Sequence, residues 1–328
     1  MRPNLHPSLV NGRFGDPAMF VEVLHRREAL LFDMGDLSAL SARDLLRIGH
    51  VFVSHMHIDH FIGFDALLRV NIGREKLIRL FGPAGLCDRL HHKLQSYEWD
   101  LSDRYAADVV FIAVEVGTDG PLRSARFNFK QRFAWQEEPL PRWPIDAGDG
   151  LQVETALLEH HGPCIGYAVS ERAHANVWAN LVADMGLAPG GWLKELKRLV
   201  LAEAPDERPV QTSNGRSMPL KELRHLVSVS DGQKIAYVTD VADTPRNRSA
   251  IASLSRGADT LFIESRFAAA DHEQACDRAH LTTQAAGEIA RSAQARRVEP
   301  FHFSPRYEGE EERMLAEVLS AFAAEPPA

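Results

Sequence analysis

The string Ser54-His55-Met56-His57-Ile58-Asp59-His60 places three imidazoles and one carboxylate within six residues, directly after the apolar run Val51-Phe52-Val53. Imidazole nitrogen and carboxylate oxygen are the donors that a zinc-class dication takes at neutral pH. Side chains this close in sequence converge on one point only where the chain leaves a strand in a tight loop, so the string reads as a metal-binding loop at a strand end. A polar surface loop with a fortuitous histidine run is the plainer alternative. With 15 histidines in 328 residues, further ligands are worth tracing. Thiolates are excluded, because the three cysteines (Cys87, Cys164, Cys276) are far apart and odd in number. They make neither a complete disulfide framework nor a thiolate zinc cage.

The elements that must hold such a loop are legible as apolar runs rich in β-branched and aromatic residues. Strands are predicted at Phe20 to Leu24, Ala29 to Phe32, His50 to Val53, Val109 to Val116, Ile235 to Val238, Leu261 to Ile263 and Val298 to Phe301. Helical periodicity follows at Thr283 to Ala295, capped by Thr282 or Thr283, and at Glu310 to Ala323. Strands alternating with helices make this an α/β domain. Residues 171–230 differ, with helix-like Val177 to Met185 and Trp192 to Leu201 followed by polar, turn-rich sequence from Pro205 to Pro219. We read them as an insertion or arm within one domain spanning 1–328. The composition, 45% hydrophobic and 25% charged, excludes a disordered or collagenous chain. No window offers the roughly 18 uncharged apolar residues of a membrane span, and Met1 to Gly12 lack a secretory apolar core, so a cytoplasmic protein without a membrane partner is expected. A net charge of -8 gives no support of its own to a polyanionic partner.

The pattern His55-x-His57-x-Asp59-His60 resembles the signature of the metallo-β-lactamase superfamily, and ligand-type residues follow later strand candidates in the matching order. His160 precedes Gly166-Tyr167, Asp240 follows Ile235-Ala236-Tyr237-Val238, and His302 follows Val298-Glu299-Pro300-Phe301. The resemblance implies an αββα sandwich, α/β (α+β) in class, with the metal site at one edge of two facing sheets. It implies that His55, His57 and His160 hold one ion, that Asp59, His60 and His302 hold a second, and that Asp240 bridges them. Zinc is the first expectation for both ions and manganese the alternative. His160 stands six residues before Gly166, the spacing of the resembled family, and the adjacent His161 remains an alternative ligand.

Within the superfamily the carboxy-terminal third resembles ribonuclease Z, the endonuclease that removes 3′ trailers from precursor transfer RNA. Ala279-His280-Leu281-Thr282-Thr283-Gln284-Ala285-Ala286 and His302-Phe303-Ser304-Pro305-Arg306-Tyr307 carry that likeness, with Phe81-Gly82-Pro83-Ala84-Gly85 upstream. The chain departs from the family at Asp33-Met34-Gly35-Asp36, at Thr239-Asp240-Val241, at Pro189-Gly190-Gly191 in the arm, and at Ile263-Glu264-Ser265-Arg266, where the family has His-Glu-Ala-Thr. The implied reaction is phosphodiester hydrolysis by a metal-activated hydroxide, with two ions about 3.5–4 Å apart clamping the phosphoryl oxygens. Asp59 would orient the hydroxide, His280 would protonate the leaving 3′ oxygen, and Glu264 would fix the His280 tautomer. Hydrolysis of a small phosphodiester or another ester on the same fold is the rival reading. The resemblance also implies a homodimer.

Several other residues invite attention. Arg69, Arg74, Lys76 and Arg79 could meet a phosphate backbone, although a solvated helix face is the plainer reading. Arg306 in the closing motif and Lys194, Lys197 and Arg198 in the arm are RNA-contact candidates through the resemblance alone. His91-His92 and His272-Glu273 read as surface pairs, and Trp135 and Trp143 as flanks of a Pro-rich loop.

Overall fold

A computed structural model describes residues 4–148 and 150–324. The described chain divides into two compact units, the smaller being Ser170–Gly232.

In the larger unit the first sheet runs in chain order through β1 (Leu5–Leu9), β2 (Met19–Val23), β3 (Ala29–Phe32), β4 (Ile48–Phe52), β5 (Lys76–Gly82), β6 (Val109–Gly117), β7 (Gly120–Asn128) and β8 (Gln136–Glu137). The second sheet contains β9 (Ile145–Asp146), β10 (Leu151–Glu159) and β11 (Pro163–Glu171), and then three strands that follow the smaller unit in sequence. The smaller unit holds two pairs, β12 (His174–Val177) with β15 (Val227–Ser230) and β13 (Pro209–Gln211) with β14 (Ser217–Pro219). The second sheet then closes with β16 (Lys234–Val238), β17 (Thr260–Glu264) and β18 (Val298–Phe301), in the order β18-β17-β16-β11-β10-β9.

Strands β3 to β6 are mutually parallel, as are β16 to β18. Parallel neighbours need crossover helices, which cover the outer face of each sheet, so these strands are largely buried on both sides and read as mainly apolar runs, with Lys76 and Arg79 on β5 the chief interruption. Residue parity shows the layering. On β4, Val51 faces the helices beside Phe64, Leu67 and Leu90, while Phe52 faces the other sheet. On β16, Tyr237 points inward and Ala236 and Val238 pack toward Ile251, Ile289 and Val318 of the second helical layer. The result is helices, sheet, sheet, helices. Phe32, Phe52, Phe81, Tyr167, Tyr237 and Phe301 fill the space between the sheets, with Phe52 and Phe81 stacked at 5.4 Å. Tyr167 donates its hydroxyl to Val53 O at 2.8 Å, joining the second sheet to the end of β4 just before the histidine loop. No helix among the described residues is long and apolar enough to cross a membrane.

One buried group in this core carries a pH dependence. His50 on β4 stacks near Phe52 and Phe81, and its Nδ1 has no hydrogen-bond partner. Burial, with Arg79 and Lys76 adding repulsion, brings its pKa down to about 4. The folded value lies below the unfolded one near 6.5, so the unfolded chain binds the proton first. This contribution is complete above about pH 6.5 and is lost as pH falls through about 4. We expect the difference in unfolding free energy between pH 7 and pH 4, measured by urea titration, to shrink by about 3 kcal/mol in His50→Leu. Equal acid sensitivity in the two proteins would contradict this.

Two expectations need correcting. Lys76 and Arg79 lie on β5 rather than on a helix face; only Arg69 is helical, on Phe64–Asn71. The turn-rich sequence from Pro205 to Pro219 forms the β13–β14 pair, with Val210 buried between exposed neighbours. His91 is half-buried rather than on the surface, stacked on Phe127 and edge-on to Trp135, because its helix packs on β6 and β7. Its neighbour His92 is exposed.

Candidate metal centre

Strand ends deliver the site. His55 follows β4, His160 follows β10, Asp240 follows β16, Glu264 ends β17, and His302 follows β18. Asp59 and His60 sit on the single 3-10 turn Ile58–His60, which keeps them close to His55 and His57. His280 precedes the helix Thr283–Ser292, whose start is fixed by Thr282 accepting from Ala285 N.

These residues converge in three groups, in each of which one ligand atom per residue lies within 4.8 Å of the others: His55, His57, His160 and Asp240; Asp59, His60 and His302; and Asp240, Glu264 and His280, the first and third sharing Asp240. Asp240 Oδ2 is the common centre, 3.8 Å from His55 Nε2, 3.4 Å from His60 Nε2 and 3.8 Å from His160 Nε2. Such separations are too long for hydrogen bonds. They are close to the ~3.4 Å between two donors that share a tetrahedral ion at 2.0–2.1 Å. His55 Nε2 and His60 Nε2 are moreover buried without a hydrogen-bond partner, a condition that costs about 1–3 kcal/mol per group unless something satisfies it. The donors therefore fit divalent ions of the zinc class. His57 is exposed, so the cluster opens to solvent on its side. His160 is the imidazole in the first group, and His161 is exposed and outside it.

The other ring nitrogens are tied down, which fixes each imidazole's direction. His60 Nδ1 donates to Asp33 Oδ2 at 2.9 Å, His160 Nδ1 to Ala279 O at 2.7 Å, and His55 Nδ1 to Ser54 Oγ at 3.1 Å. Asp33 was legible only as an acid after the run Ala29 to Phe32. It is fully buried, and it also accepts from Ser54 N, Ser54 Oγ and Tyr237 OH. Asp33, Ser54 and Ala279 are positioning residues that the sequence reading did not single out. An acid that ends a buried strand, next to the strand carrying the histidines, is the signal that could have found Asp33. Ala279 and His302 have φ of 55° and 60°, left-handed values that strain a non-glycine residue and gather at functional sites.

The charges are interdependent. Burial alone would raise the Asp240 carboxyl, yet His302 and His60 outweigh it and hold it well below the usual carboxylate range. Burial opposes charge on His60 as well, and Asp240 and Asp33 lift that imidazole well above 6.5. His55 is driven the other way, down to about 2, by burial and then by His60. A buried anion thus faces imidazoles of which some are charged and some neutral, an arrangement suited to exchanging protons for cations.

Beside this cluster His280 Nδ1 donates to Glu264 Oε1 at 3.0 Å, and the same oxygen accepts from Val241 N at 2.8 Å. Glu264 is wholly buried and His280 nearly so. With Nδ1–H committed to the carboxylate, Nε2 is the nitrogen left for other work. Arg266, two residues past Glu264, donates from Nη1 to His302 Nε2. Of the other candidates, Arg306 is exposed over the Phe267 ring, and His272 and Glu273 are exposed. In the smaller unit, Lys194 is exposed on Trp192–Leu201, and Arg198 pairs with Glu195.

This geometry is that of metallo-β-lactamase folds. A profile described as a Beta-lactamase superfamily domain matches residues 202–303. The metallo-beta-lactamase fold protein YhfI from Bacillus subtilis aligns with a TM-score of 0.54 at 15% identity, over 97% of this chain and 92% of that one. Human tRNase Z, short form, aligns with a TM-score of 0.50 at 17% identity, over 92% of each chain. A ribonuclease Z of Deinococcus radiodurans is 31% identical over 302 residues, covering 90% of this chain and 88% of that protein. The chain belongs to the ribonuclease Z family.

Proposed function

We propose that this protein is a metal-dependent endoribonuclease that removes 3′ trailers from precursor transfer RNA. The observation that carries the reading is the Glu264–His280 pair, whose ligand-type atoms share a 4.8 Å cluster with Asp240. A protein that merely stored metal would have no use for an oriented, carboxylate-backed imidazole beside the ligands. Family membership supports the choice of RNA as substrate.

In this reading His55, His57 and His160 hold one ion, Asp59, His60 and His302 a second, and Asp240 is shared. Zinc suits the nitrogen-rich donors best. Ions bound there would acidify a water and neutralise charge on the scissile phosphate. Asp59, with its side chain 33% exposed, accepts a hydrogen bond from the attacking water on the open side of the cluster. His280 gives a proton from Nε2 to the departing 3′ oxygen, and Glu264 holds Nδ1–H and stabilises the imidazolium.

The test pairs a precursor transfer RNA carrying a labelled 3′ trailer with a small chromogenic phosphodiester. We expect one cut directly after the discriminator base, lost on chelation and restored by zinc or manganese. Turnover of the small diester with the RNA left intact, at both low and moderate salt, would favour a small-molecule phosphodiesterase instead.

A further inference from the structure

His302 has two ring nitrogens with different employment. Nδ1 stands 2.6 Å from Asp240 Oδ1 but is not aligned for a hydrogen bond to it. Nε2 takes a hydrogen from a guanidinium, which can only donate, so Nε2 carries the ring's lone pair. It is also the nitrogen that faces the second donor group, 3.7 Å from Asp59 Oδ2, which is in turn 3.7 Å from His60 Nε2. Arg266 Nη1 donates into this same nitrogen. One lone pair cannot both accept a guanidinium hydrogen and ligate an ion. A guanidinium also keeps its charge at every working pH, so it stands as a fixed cation where a dication would have to enter. The first group is different: His55 Nε2, the nitrogen that faces Asp240, has no hydrogen-bond partner, and the far nitrogens of His55 and His160 go to Ser54 and Ala279.

We propose that Arg266 is a built-in competitor for the second ion, making the two halves of the centre unequal. The His55, His57, His160 and Asp240 half fills tightly. The Asp59, His60 and His302 half fills only when Arg266 leaves His302 Nε2, and exchanges its ion readily. The proposal rests on the metal reading given above.

The test is binding, not turnover. Metal-free wild type, Arg266→Thr and Arg266→Gln, each checked for native circular dichroism, are titrated with Co2+ by visible absorption and by equilibrium dialysis with elemental analysis. We expect wild type to bind its second Co2+ at least about tenfold more weakly than its first, as a nearby unit charge at partly screened distance requires. Both variants should bind the second ion about tenfold more tightly than wild type with the first constant unchanged; Arg266→Gln keeps an N–H donor, so a gain there isolates the charge. Equal first and second affinities in wild type, or a second affinity unmoved in both variants, overturns the proposal. Failure of every protein to bind any Co2+ would overturn the metal reading itself.

Discussion

Asp240→Ala is expected to lower RNA cleavage by roughly a thousandfold or more, the rate equivalent of several kcal/mol of lost transition-state charge stabilisation, and to strip bound metal from the purified protein. The reason is geometric. Asp240 Oδ2 is the atom that His55, His60 and His160 all face within 3.8 Å, and Oδ1 is the partner of His302. Among the described residues no other carboxylate reaches both donor groups. Its removal would also leave His60 and His302 without the anion that lifts their pKa values, so part of the loss could come from a disturbed fold. Asp240→Asn keeps the shape while removing the charge, and urea midpoints of the metal-free variants beside metal-free wild type measure any disturbance of the fold. Elemental analysis should find Asp240→Asn depleted in metal while its metal-free form still unfolds cooperatively. Full metal content with wild-type cleavage in either variant would take Asp240 out of the centre.

The second large effect is expected at His280. Its replacement by Ala should slow cleavage of RNA, whose leaving 3′ oxygen is a poor leaving group, by about a hundred- to ten-thousandfold. The same variant should retain most of its activity on a p-nitrophenyl phosphodiester, whose leaving group departs without a proton. A structural role for His280 would depress both substrates alike, so the ratio of the two losses is the informative quantity. Glu264→Gln should show the same leaving-group pattern at smaller size, because the amide oxygen would still accept from Val241 N yet could no longer stabilise the imidazolium.

Much of this centre was legible because its residues are tied to the most periodic parts of the sequence. His55, Asp240 and His302 each follow an apolar run, and those runs are strands because parallel strands inside two helical layers must be apolar on both faces. The ligands were visible for the same reason, as polar residues where such a run stops. Less visible were groups whose role depends on contacts distant in sequence. Asp33 touches His60, Ser54 and Tyr237 across 27, 21 and 204 residues, and no spacing rule connects those positions. The carbonyl of Ala279 does its work through the backbone, where the residue type leaves no mark. Lys76 and Arg79 were misplaced on a helix because a charge run suggests a solvated face. On β5 their stems flank buried Ile78 and Leu80 instead. The departure at Arg266 could be seen in the sequence, but its meaning came only with the contact to His302.

One buried carboxylate, Asp240, gathers two groups of donors into a metal centre. Crystals of zinc-loaded protein measured on both sides of the zinc absorption edge would locate the ions themselves. An anomalous peak is expected enclosed by His55, His57, His160 and Asp240, and a second, of lower occupancy, between Asp59, His60, His302 and Asp240. Zinc peaks lying away from these residues, with Asp240 Oδ2 still facing its three imidazoles, would contradict this arrangement.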